Sequence, residues 1–494
     1  MVDTGTESKA PPDGDKPDRD KAPATGAAGG SSRAAEVSGH AADRRRPQNR
    51  RSPLGDVVSS LVGDDLPVAI RFYDGGRLGP TDPPATLEVR SPSAVSRILT
   101  APGELGFARA YVAGDIELEG DIYSVLELRH RLPSPKLTAS QWLAALRVVG
   151  PLALRPLPAP PEEARQKGRL HSLRRDAESV SHHYDVSNEF YEMVLGPAMV
   201  YSCALFGGAG TTLEQAQWAK LELICQKLAL EPGMRLLDVG CGWGSMAIHA
   251  ARNHGVEAVG VTLSRQQAEW ARQKVAALGL ADRVDIRVQD YRSVQGERFD
   301  AISSIGMSEH VGASELPTYF AKLRGLLDDG GRLLNHAITR RPGEDSAISP
   351  RSFMSRYVFP DAALVEVGEV ITAMQSAGFE VQHAESLRLH YARTLRHWVS
   401  NLEANWDECV AEAGLARARI WRLYMAGSAL GFEDGRISIA QVLGTPLGVN
   451  EIPMRPEWAA SPEPPEVPFE DHAAARATGV PTPGMGEVTG SSRA

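Results

Sequence analysis

Among the side chains able to hold or move a proton, four in or beside apolar segments are candidates for chemistry. Glu309 follows the run FDAISSIG and His336 lies inside GRLLNHAI; Cys203 and Tyr391 complete the set. A carboxylate beside a buried run is costly unless it is paired, which favours a functional role for Glu309. The other three have structural alternatives, as a small buried thiol, a satisfied core imidazole and a core-capping phenol. Together the four indicate one crevice, because the ends of adjacent parallel strands converge.

A glycine-rich turn joins the apolar run MRLLDVG to a predicted helix, SMAIHAARNHG. Its glycines are Gly240, Gly242 and Gly244, and Asp238 lies two residues before the first of them. Glycines let backbone N–H groups approach a ligand closely. The spacing D-x-G-x-G-x-G is not the G-x-G-x-x-G of dinucleotide enzymes, and no Lys-Ser or Lys-Thr follows, as a P-loop requires. The turn therefore favours S-adenosylmethionine over other nucleotides and over a merely structural role.

Polar residues also end the next two predicted strands. Thr262, Ser264 and Gln267 lie at and after the end of EAVGVTL, where a dinucleotide enzyme would have a ribose-binding acid. Asp290 and Tyr291 end VDIRVQD. Three ligand-facing strand ends in chain order match the place where open α/β sheets bind small molecules.

A parallel sheet would position these residues, and the sequence alternates predicted strands with predicted helices as such a sheet requires. Five apolar runs precede predicted helices, and they are MRLLDVG, EAVGVTL, VDIRVQD, FDAISSIG and GRLLNHAI. A capping box, Thr212-Leu-Glu-Gln215, opens a helix before them, and FEVQHAESLRLHY is predicted to supply the antiparallel end of the sheet. The sequence predicts an α/β fold, a Rossmann-like class I S-adenosylmethionine methyltransferase domain, over residues 176–450.

The rest of the chain divides by composition. Residues 54–150 alternate short strand-like and helix-like runs and predict a smaller α+β domain with possible lipid or membrane contact. Residues 151–175 form a Pro-rich and basic linker. Residues 1–53 and 451–494 lack the apolar residues that would offset their ordering entropy, so the first is predicted to be disordered and the second loose.

The overall composition excludes several classes of protein. The 494 residues have a formal net charge of −9, which argues against general nucleic-acid binding. No apolar run reaches the length of a membrane span, and the first residues lack the apolar core of a secretory signal. The cysteines occur singly, with no histidine at zinc-ligand spacing, so neither a disulfide framework nor a metal site is predicted.

Seven segments resemble the cyclopropane-fatty-acyl-phospholipid synthase family, with its mycolic acid cyclopropane synthases and fatty acid methyltransferases. The resemblance covers about residues 55–450. The matching segments are HHYDVSNEFY, YSCA, LDVGCGWG, GVTLSRQQ, GMSEHVG, NHAI and HYARTLRHW. One difference is local, since the family commonly has an aromatic pair after the cysteine where this chain has Ala204 and Leu205.

The resemblance implies roles for the candidate residues. Tyr201 and Ser202 join the glycine turn and the two later strand ends as S-adenosylmethionine contacts. A bicarbonate ion is implied beside the acyl chain, held by Cys203, Glu309, His336 and Tyr391. The segment that includes His182, His183 and Tyr184 is expected to act as a lid over the cofactor.

The implied reaction is methyl transfer to the cis double bond of an unsaturated phospholipid acyl chain, with closure of a cyclopropane ring. Ring closure needs a base that removes a proton from the added methyl group. Transfer without closure, giving a methylene- or methyl-branched acid with a partner reductase, stays open, and Ala204 and Leu205 are expected to leave room for a shifted chain. Two further alternatives are a methyltransferase for a soluble substrate and a non-catalytic lipid-binding protein.

The implied partners are acyl lipids and a membrane surface. Basic clusters at 44–51 and 165–175 favour contact with anionic lipid, so the expected location is cytoplasmic, at the inner face of the membrane. A homodimer is a further expectation.

Overall fold

The structure is a computed structural model that describes residues 52–130, 147, 150, 155–164, 186–343, 349, 352–360 and 363–448. Nearly all of the predicted disordered segment, the two basic clusters, the lid histidines and the C-terminal tail lie outside the described residues. In the part that is described, no helix is both long enough and apolar enough to cross a membrane.

A small mixed sheet and four helices form the first part of the described chain. The strands are β1 (Ala69–Phe72), β2 (Arg77–Leu78), β3 (Ala85–Val89) and β4 (Ile116–Gly120). The helices are α1 (Pro53–Val62), α2 (Pro92–Thr100), α3 (Glu104–Val112) and α4 (Ile122–Leu126). The sheet order is β2-β1-β3-β4, with β1 parallel to β3 and the other pairs antiparallel.

A seven-stranded sheet forms the second part and confirms the predicted α/β fold. Its strands are β5 (Arg235–Val239), β6 (Glu257–Thr262), β7 (Val284–Val288), β8 (Phe299–Ile305), β9 (Leu327–Arg340), β10 (Phe379–Ser386) and β11 (Ile437–Pro446). The order is β10-β11-β9-β8-β5-β6-β7, and β5 to β9 are mutually parallel. Strand order therefore reverses between β5 and β8, which places a crevice beyond their carboxyl ends.

The far end of the sheet differs from the prediction. The strand in FEVQHAESLRLHY ends at Ser386, and Arg388 begins a helix. The strand that runs against β9 is β11, which lies between β9 and β10 and pairs antiparallel with both. The β10 edge strand thus points the same way as the five central strands.

Helices cover both faces of this sheet. They are α5 (Asn188–Leu195), α6 (Leu213–Leu228), α7 (Ser245–His254), α8 (Arg265–Ala277), α9 (Ser308–Val311), α10 (Leu316–Leu326), α11 (Val367–Ser376), α12 (Arg388–Ala404), α13 (Trp406–Ala413) and α14 (Leu415–Glu433), with a π-helix at Met354–Val358. The capping box at Thr212 is confirmed, and Gly255 in the left-handed conformation ends α7.

The small sheet shares a hydrophobic core with two helices of the second part of the chain. One apolar cluster contains side chains from α3 and β4 together with side chains from α12 and α14. Two buried arginines of α14 contact the small sheet: Arg419 pairs with Glu117, and Arg422 donates to the Gly120 carbonyl at 3.0 Å. The domain boundary at residue 150 stays a prediction.

Candidate active site

A cavity of about 920 Å³ lies at the carboxyl ends of the parallel strands. Its lining includes the ends of β5 to β8 and two residues of β9, together with side chains of α6, α12 and α14. This is the crevice that the reversal of strand order creates. Polar groups line the β5 to β7 side, and mainly apolar groups line the side nearest α12 and α14.

The glycine turn after β5 needs its glycines for steric reasons. Gly240 has a φ of 76°, and a Cβ placed there would lie 2.4 Å from the Met307 sulfur. Gly244 has a φ of 80°, and its missing Cβ allows close packing on Ala271 of α8. Both positions therefore tolerate only glycine. Of the three predicted glycines, Gly240 and Gly242 line the cavity, whereas Gly244 begins α7 behind it.

Asp238 is a buried carboxylate on the cavity wall. It accepts a hydrogen bond from Ser303 Oγ at 2.7 Å across the β5–β8 pair. Burial raises its pKa to about 6. The carboxylate is thus desolvated and held in position by its neighbouring strand.

Lys220 is a second buried charge on the same wall, and the sequence analysis missed it. Its Nζ donates to Ser202 Oγ at 2.9 Å, and only 1% of the residue is exposed. Burial lowers its pKa to about 8. The signal was available, because Lys220 occupies the apolar face of α6 at helical spacing from Ala216 and Leu223.

The ends of β6 and β7 supply further polar groups. Thr262 Oγ1 donates to Gln267 Oε1 at 3.2 Å, and both residues line the cavity. Ser264 instead caps α8, accepting from the Gln267 N–H at 3.3 Å. Asp290 and Tyr291 line the cavity. Burial acts to raise the pKa of Asp290. Hydrogen bonds from the side chain and backbone of Arg292 outweigh burial, so the pKa lies below its usual value.

Glu309 and His336 bring unsatisfied polar atoms to the cavity. Glu309 Oε1 accepts from the Ile338 N–H at 2.7 Å, and burial raises the Glu309 pKa to about 7. His336 is fully buried, which lowers its pKa well below the usual value. Glu309 Oε2 and both ring nitrogens of His336 have no hydrogen-bond partner among the described residues. Buried polar atoms are rarely left unpaired, so these three atoms indicate a polar ligand.

Tyr391 and Cys203 differ in their placement. Tyr391 lines the cavity, and its ring centroid lies 4.7 Å from that of Phe432. Cys203 is buried but is not a lining residue; its Sγ lies 3.3 Å from the Ala204 carbonyl oxygen and 3.7 Å from that of Leu387. Burial raises the pKa of this thiol. The structure therefore brings Glu309, His336 and Tyr391 together and places Cys203 behind the wall.

An apolar and aromatic wall forms the rest of the cavity. The Tyr201 and Tyr424 hydroxyl groups lie 3.1 Å apart, and the Tyr201 ring centroid lies 5.4 Å from that of Trp398. Further apolar lining includes Met354, Phe359, Leu395, Phe432, Ile437 and Ile439. Such a surface fits a hydrocarbon chain.

Ala204 and Leu205 do not contribute to this wall. The Ala204 N–H donates to Thr394 Oγ1 of α12 at 3.0 Å, and the Leu205 N–H donates to the Ala216 carbonyl at 2.8 Å. Neither residue lines the cavity. The expectation that this pair leaves room for a shifted acyl chain therefore has no support in the geometry.

The polar half of the cavity fits S-adenosylmethionine. The amino acid end of that molecule has one ammonium and one carboxylate group, and the wall presents the oppositely charged Asp238 and Lys220. Its ribose and adenine need hydrogen-bonding groups, which the ends of β6 and β7 provide.

Comparisons with known proteins agree with this geometry. Residues 171–442 match the family described as mycolic acid cyclopropane synthetase. A probable fatty acid methyltransferase of Mycobacterium tuberculosis is 46% identical over 406 residues, covering 79% of this chain and 95% of that protein. A tuberculostearic acid methyltransferase of the same organism is 32% identical over 411 residues, covering 79% and 92%.

Solved structures agree as well. A mycolic acid cyclopropane synthase complexed with SAH and CTAB has a TM-score of 0.51 and 33% identity, over 54% of this chain and 97% of that one. The matched region holds the seven-stranded sheet and most of the cavity lining. The chain therefore belongs to the mycolic acid cyclopropane synthetase family and is an S-adenosylmethionine-dependent methyltransferase.

Proposed function

We propose that this enzyme methylates the cis double bond of an unsaturated phospholipid acyl chain and closes a cyclopropane ring. The supporting observation is the continuity of the cavity, in which the polar cofactor wall faces an apolar aromatic wall with no partition between them. A methyl donor at the first wall and a hydrocarbon chain along the second would meet in one space. The CTAB in the related structure, a single-chain detergent, fits the same interpretation.

An alkene is a weak nucleophile, so the chain's own residues must align it and exclude water. S-adenosylmethionine supplies an electrophilic methyl group when bound. The aromatic faces of Tyr201 and Tyr391 lie on the cavity wall, where they stabilise positive charge on the acyl carbon by up to ~2 kcal/mol once water is excluded. Water that reached this carbon would give a hydroxylated lipid instead.

The unsatisfied atoms of Glu309 and His336 fit a bicarbonate ion. A neutral imidazole offers one N–H donor, and a carboxyl group with a pKa of about 7 can donate or accept a proton near neutral pH. Bicarbonate held there would supply the base that removes a proton from the added methyl group. Tyr391 lies on the same wall, while Cys203 would act through the wall and not by direct contact.

We further propose that Lys220 and Asp238 recognise the charged amino acid end of the cofactor. Replacing Lys220 with methionine keeps the length of the side chain and removes its charge. S-adenosylmethionine affinity in a calorimetric titration is expected to fall about tenfold, since one charge-assisted hydrogen bond is lost.

Lys227 offers a matched control on the same helix. It is also fully buried, but its Nζ donates to Glu385 at 2.6 Å and to Gln441 at 2.7 Å, and it is not a lining residue. Lys227→Met removes a buried charge away from the cofactor wall. Equal loss of affinity in the two variants would show that Lys220 acts only through the fold.

Methylation without ring closure is the second candidate. The observation that favours it is sequence similarity to proteins named fatty acid methyltransferase and tuberculostearic acid methyltransferase, each matched over 79% of this chain. The cation would then undergo a hydride shift and lose a proton elsewhere, giving a methylene branch that a partner reductase could saturate. Both routes use the same cofactor wall and differ in the placement of the base.

Proton NMR of the lipids decides between the two products. Lipids are extracted from a host that makes unsaturated phospholipids and expresses the full chain, with Asp238→Ala as the inactive control. We expect upfield ring-methylene signals that are missing from the control. Vinylidene signals in their place would assign the branched product. Unchanged lipids, from a chain that binds S-adenosylmethionine in calorimetry, would favour a soluble substrate or a non-catalytic role.

Contact with a membrane surface is part of the same proposal, because a phospholipid substrate lies in a bilayer. Each positive charge in the basic clusters at 44–51 and 165–175 would contribute about 1 kcal/mol to the free energy of binding to an anionic leaflet. A homodimer and a partner reductase stay predictions.

A further inference from the structure

A second cluster of chemically reactive side chains lies away from the cavity, between α6 and α7. It consists of Glu222 and Cys225 on α6 and of His249 and His254 on α7. Ligand atoms of Cys225, His249 and His254 all lie within 4.8 Å of one another. None of the four residues lines the cofactor cavity. Because α7 begins at the glycine turn and is 10 residues long, His254 at its end lies roughly 15 Å from that turn, and His249 lies about halfway along the helix.

Glu222 joins the cluster as a potential fourth ligand. Its Oε2 lies 3.1 Å from His249 Nε2 and 3.0 Å from His254 Nε2. A tetrahedral zinc ion with bonds of about 2.0–2.3 Å separates its ligand atoms by roughly 3.3–3.8 Å. The two carboxylate–imidazole distances are close to that spacing. The ligand atom of Cys225 lies within 4.8 Å of those of both histidines, and Glu222 is not part of that three-residue group. The thiol and the carboxylate would therefore have to move closer together for all four groups to bind one ion.

The chemistry of the four groups matches a borderline divalent ion. One thiolate, one carboxylate and two neutral imidazoles are the ligand types that zinc prefers, and the two negative charges neutralise its two positive ones. Cys225 is fully buried and His249 is 5% exposed, whereas the side chains of His254 and Glu222 are 18% and 14% exposed. The cluster is therefore mostly shielded and has a route for entry on one side.

Neighbouring groups would orient the two imidazoles. His249 Nδ1 lies 3.1 Å from the side-chain amide of Asn253, and the His254 ring hydrogen-bonds to the backbone of Leu230. Partners of this kind fix the tautomer of a metal-binding histidine, leaving its other nitrogen for the ion. The amide nitrogen of Asn253 faces His249 Nδ1 in the structure, so ion binding at Nε2 would require this amide to rotate and present its oxygen to an Nδ1–H.

We propose that Glu222, Cys225, His249 and His254 form a binding site for one zinc-class divalent ion that fastens α6 to α7. On binding, the Cys225 thiol and the Nε2–H of His254 would each release a proton to solvent, and the Nε2 proton of His249 would move to its Nδ1, which leaves one sulfur and two nitrogens free to bind the ion. Without an ion, the same residues form a hydrogen-bonded cluster in which both imidazoles donate to the carboxylate. Only the ion-bound state contains a metal–sulfur bond, and this bond distinguishes the two states.

Cobalt(II), which adopts zinc's tetrahedral geometry, tests the proposal by absorption spectroscopy on the full chain after dialysis against a chelator. One equivalent of Co²⁺ is expected to produce a thiolate-to-cobalt charge-transfer band, which excess Zn²⁺ removes. Cys225→Ser should abolish the band, and Cys409→Ser, a buried cysteine on α13, should keep it. No band from the full chain, or an undiminished band from Cys225→Ser, would overturn the proposal.

His254→Gln provides a second test that does not depend on the buried thiol. Its position is partly exposed, and glutamine can still hydrogen-bond to Glu222. We expect Co²⁺ affinity to fall more than tenfold while S-adenosylmethionine affinity is unchanged. Unchanged Co²⁺ affinity would contradict the assignment. S-adenosylmethionine binding serves as the folding control in every variant, so failure here is separate from failure of the proposed lipid reaction.

Discussion

Replacing Asp238 with alanine is expected to weaken S-adenosylmethionine binding roughly 100-fold, because a desolvated charge-assisted hydrogen bond to the cofactor is lost. The carboxylate lies on the cavity wall, is 2% exposed and is held by Ser303. Its removal also leaves the Ser303 hydroxyl group buried without its acceptor. Isothermal titration calorimetry measures the affinity directly.

Asp300 is the matched control for this variant. It lies near the amino end of β8, whereas the cavity lies at the carboxyl ends of the strands. Its carboxylate accepts a hydrogen bond from the Arg235 N–H of β5 at 2.7 Å. Asp300→Ala thus removes a hydrogen-bonded carboxylate from the same strand pair without touching the cavity. We expect cofactor affinity within about twofold of the unmodified chain. If Asp238→Ala bound equally well, the glycine turn would not be the cofactor site.

Glu309→Gln and His336→Ala are expected to bind S-adenosylmethionine normally and to lose about 100-fold or more in turnover, the scale of a general-base contribution. These residues line the same cavity as the glycine turn and have the three unsatisfied atoms that fit bicarbonate. Removing either disturbs the base and leaves the cofactor wall intact. Single-turnover product formation, measured beside calorimetry, separates the two effects.

His383→Ala is the control for the histidine variant, since this imidazole lies on the β10 edge strand and is not a lining residue. It should retain near-full turnover. Full activity in either Glu309→Gln or His336→Ala would exclude the proposed ion site. Loss of cofactor affinity in parallel with turnover would instead assign these residues to the cofactor wall.

The sequence predicted the central sheet because buried parallel strands give continuous apolar runs, each ended by a glycine or a polar residue. It failed at β11, where the apolar ISIAQVLGTP follows the long helix α14 and gives no signal of strand direction. It also extended FEVQHAESLRLHY past Ser386, because the alternation of side chains continues into the first turn of α12. Strand neighbours depend on tertiary pairing, which local pattern does not encode.

The candidate site shows the same division between local and long-range information. Asp238 and Gly240 were predictable, since their roles follow from a turn that is contiguous in sequence. Lys220 was missed because its importance comes from Ser202 and from a cavity built by distant strands. Cys225 and His254 likewise meet only because α6 packs on α7. Spacing rules for metal ligands apply to contiguous motifs and do not detect such pairs.

Helix α14 links the cavity to the small sheet. It supplies Tyr424 and Phe432 to the cavity lining, and its buried arginines donate to backbone carbonyl groups of α3 and β4. The related cyclopropane synthase is matched over 97% of its length by 54% of this chain. Substitutions in the small sheet, which does not line the cavity, are therefore expected to shift Tyr424 and Phe432 through this helix.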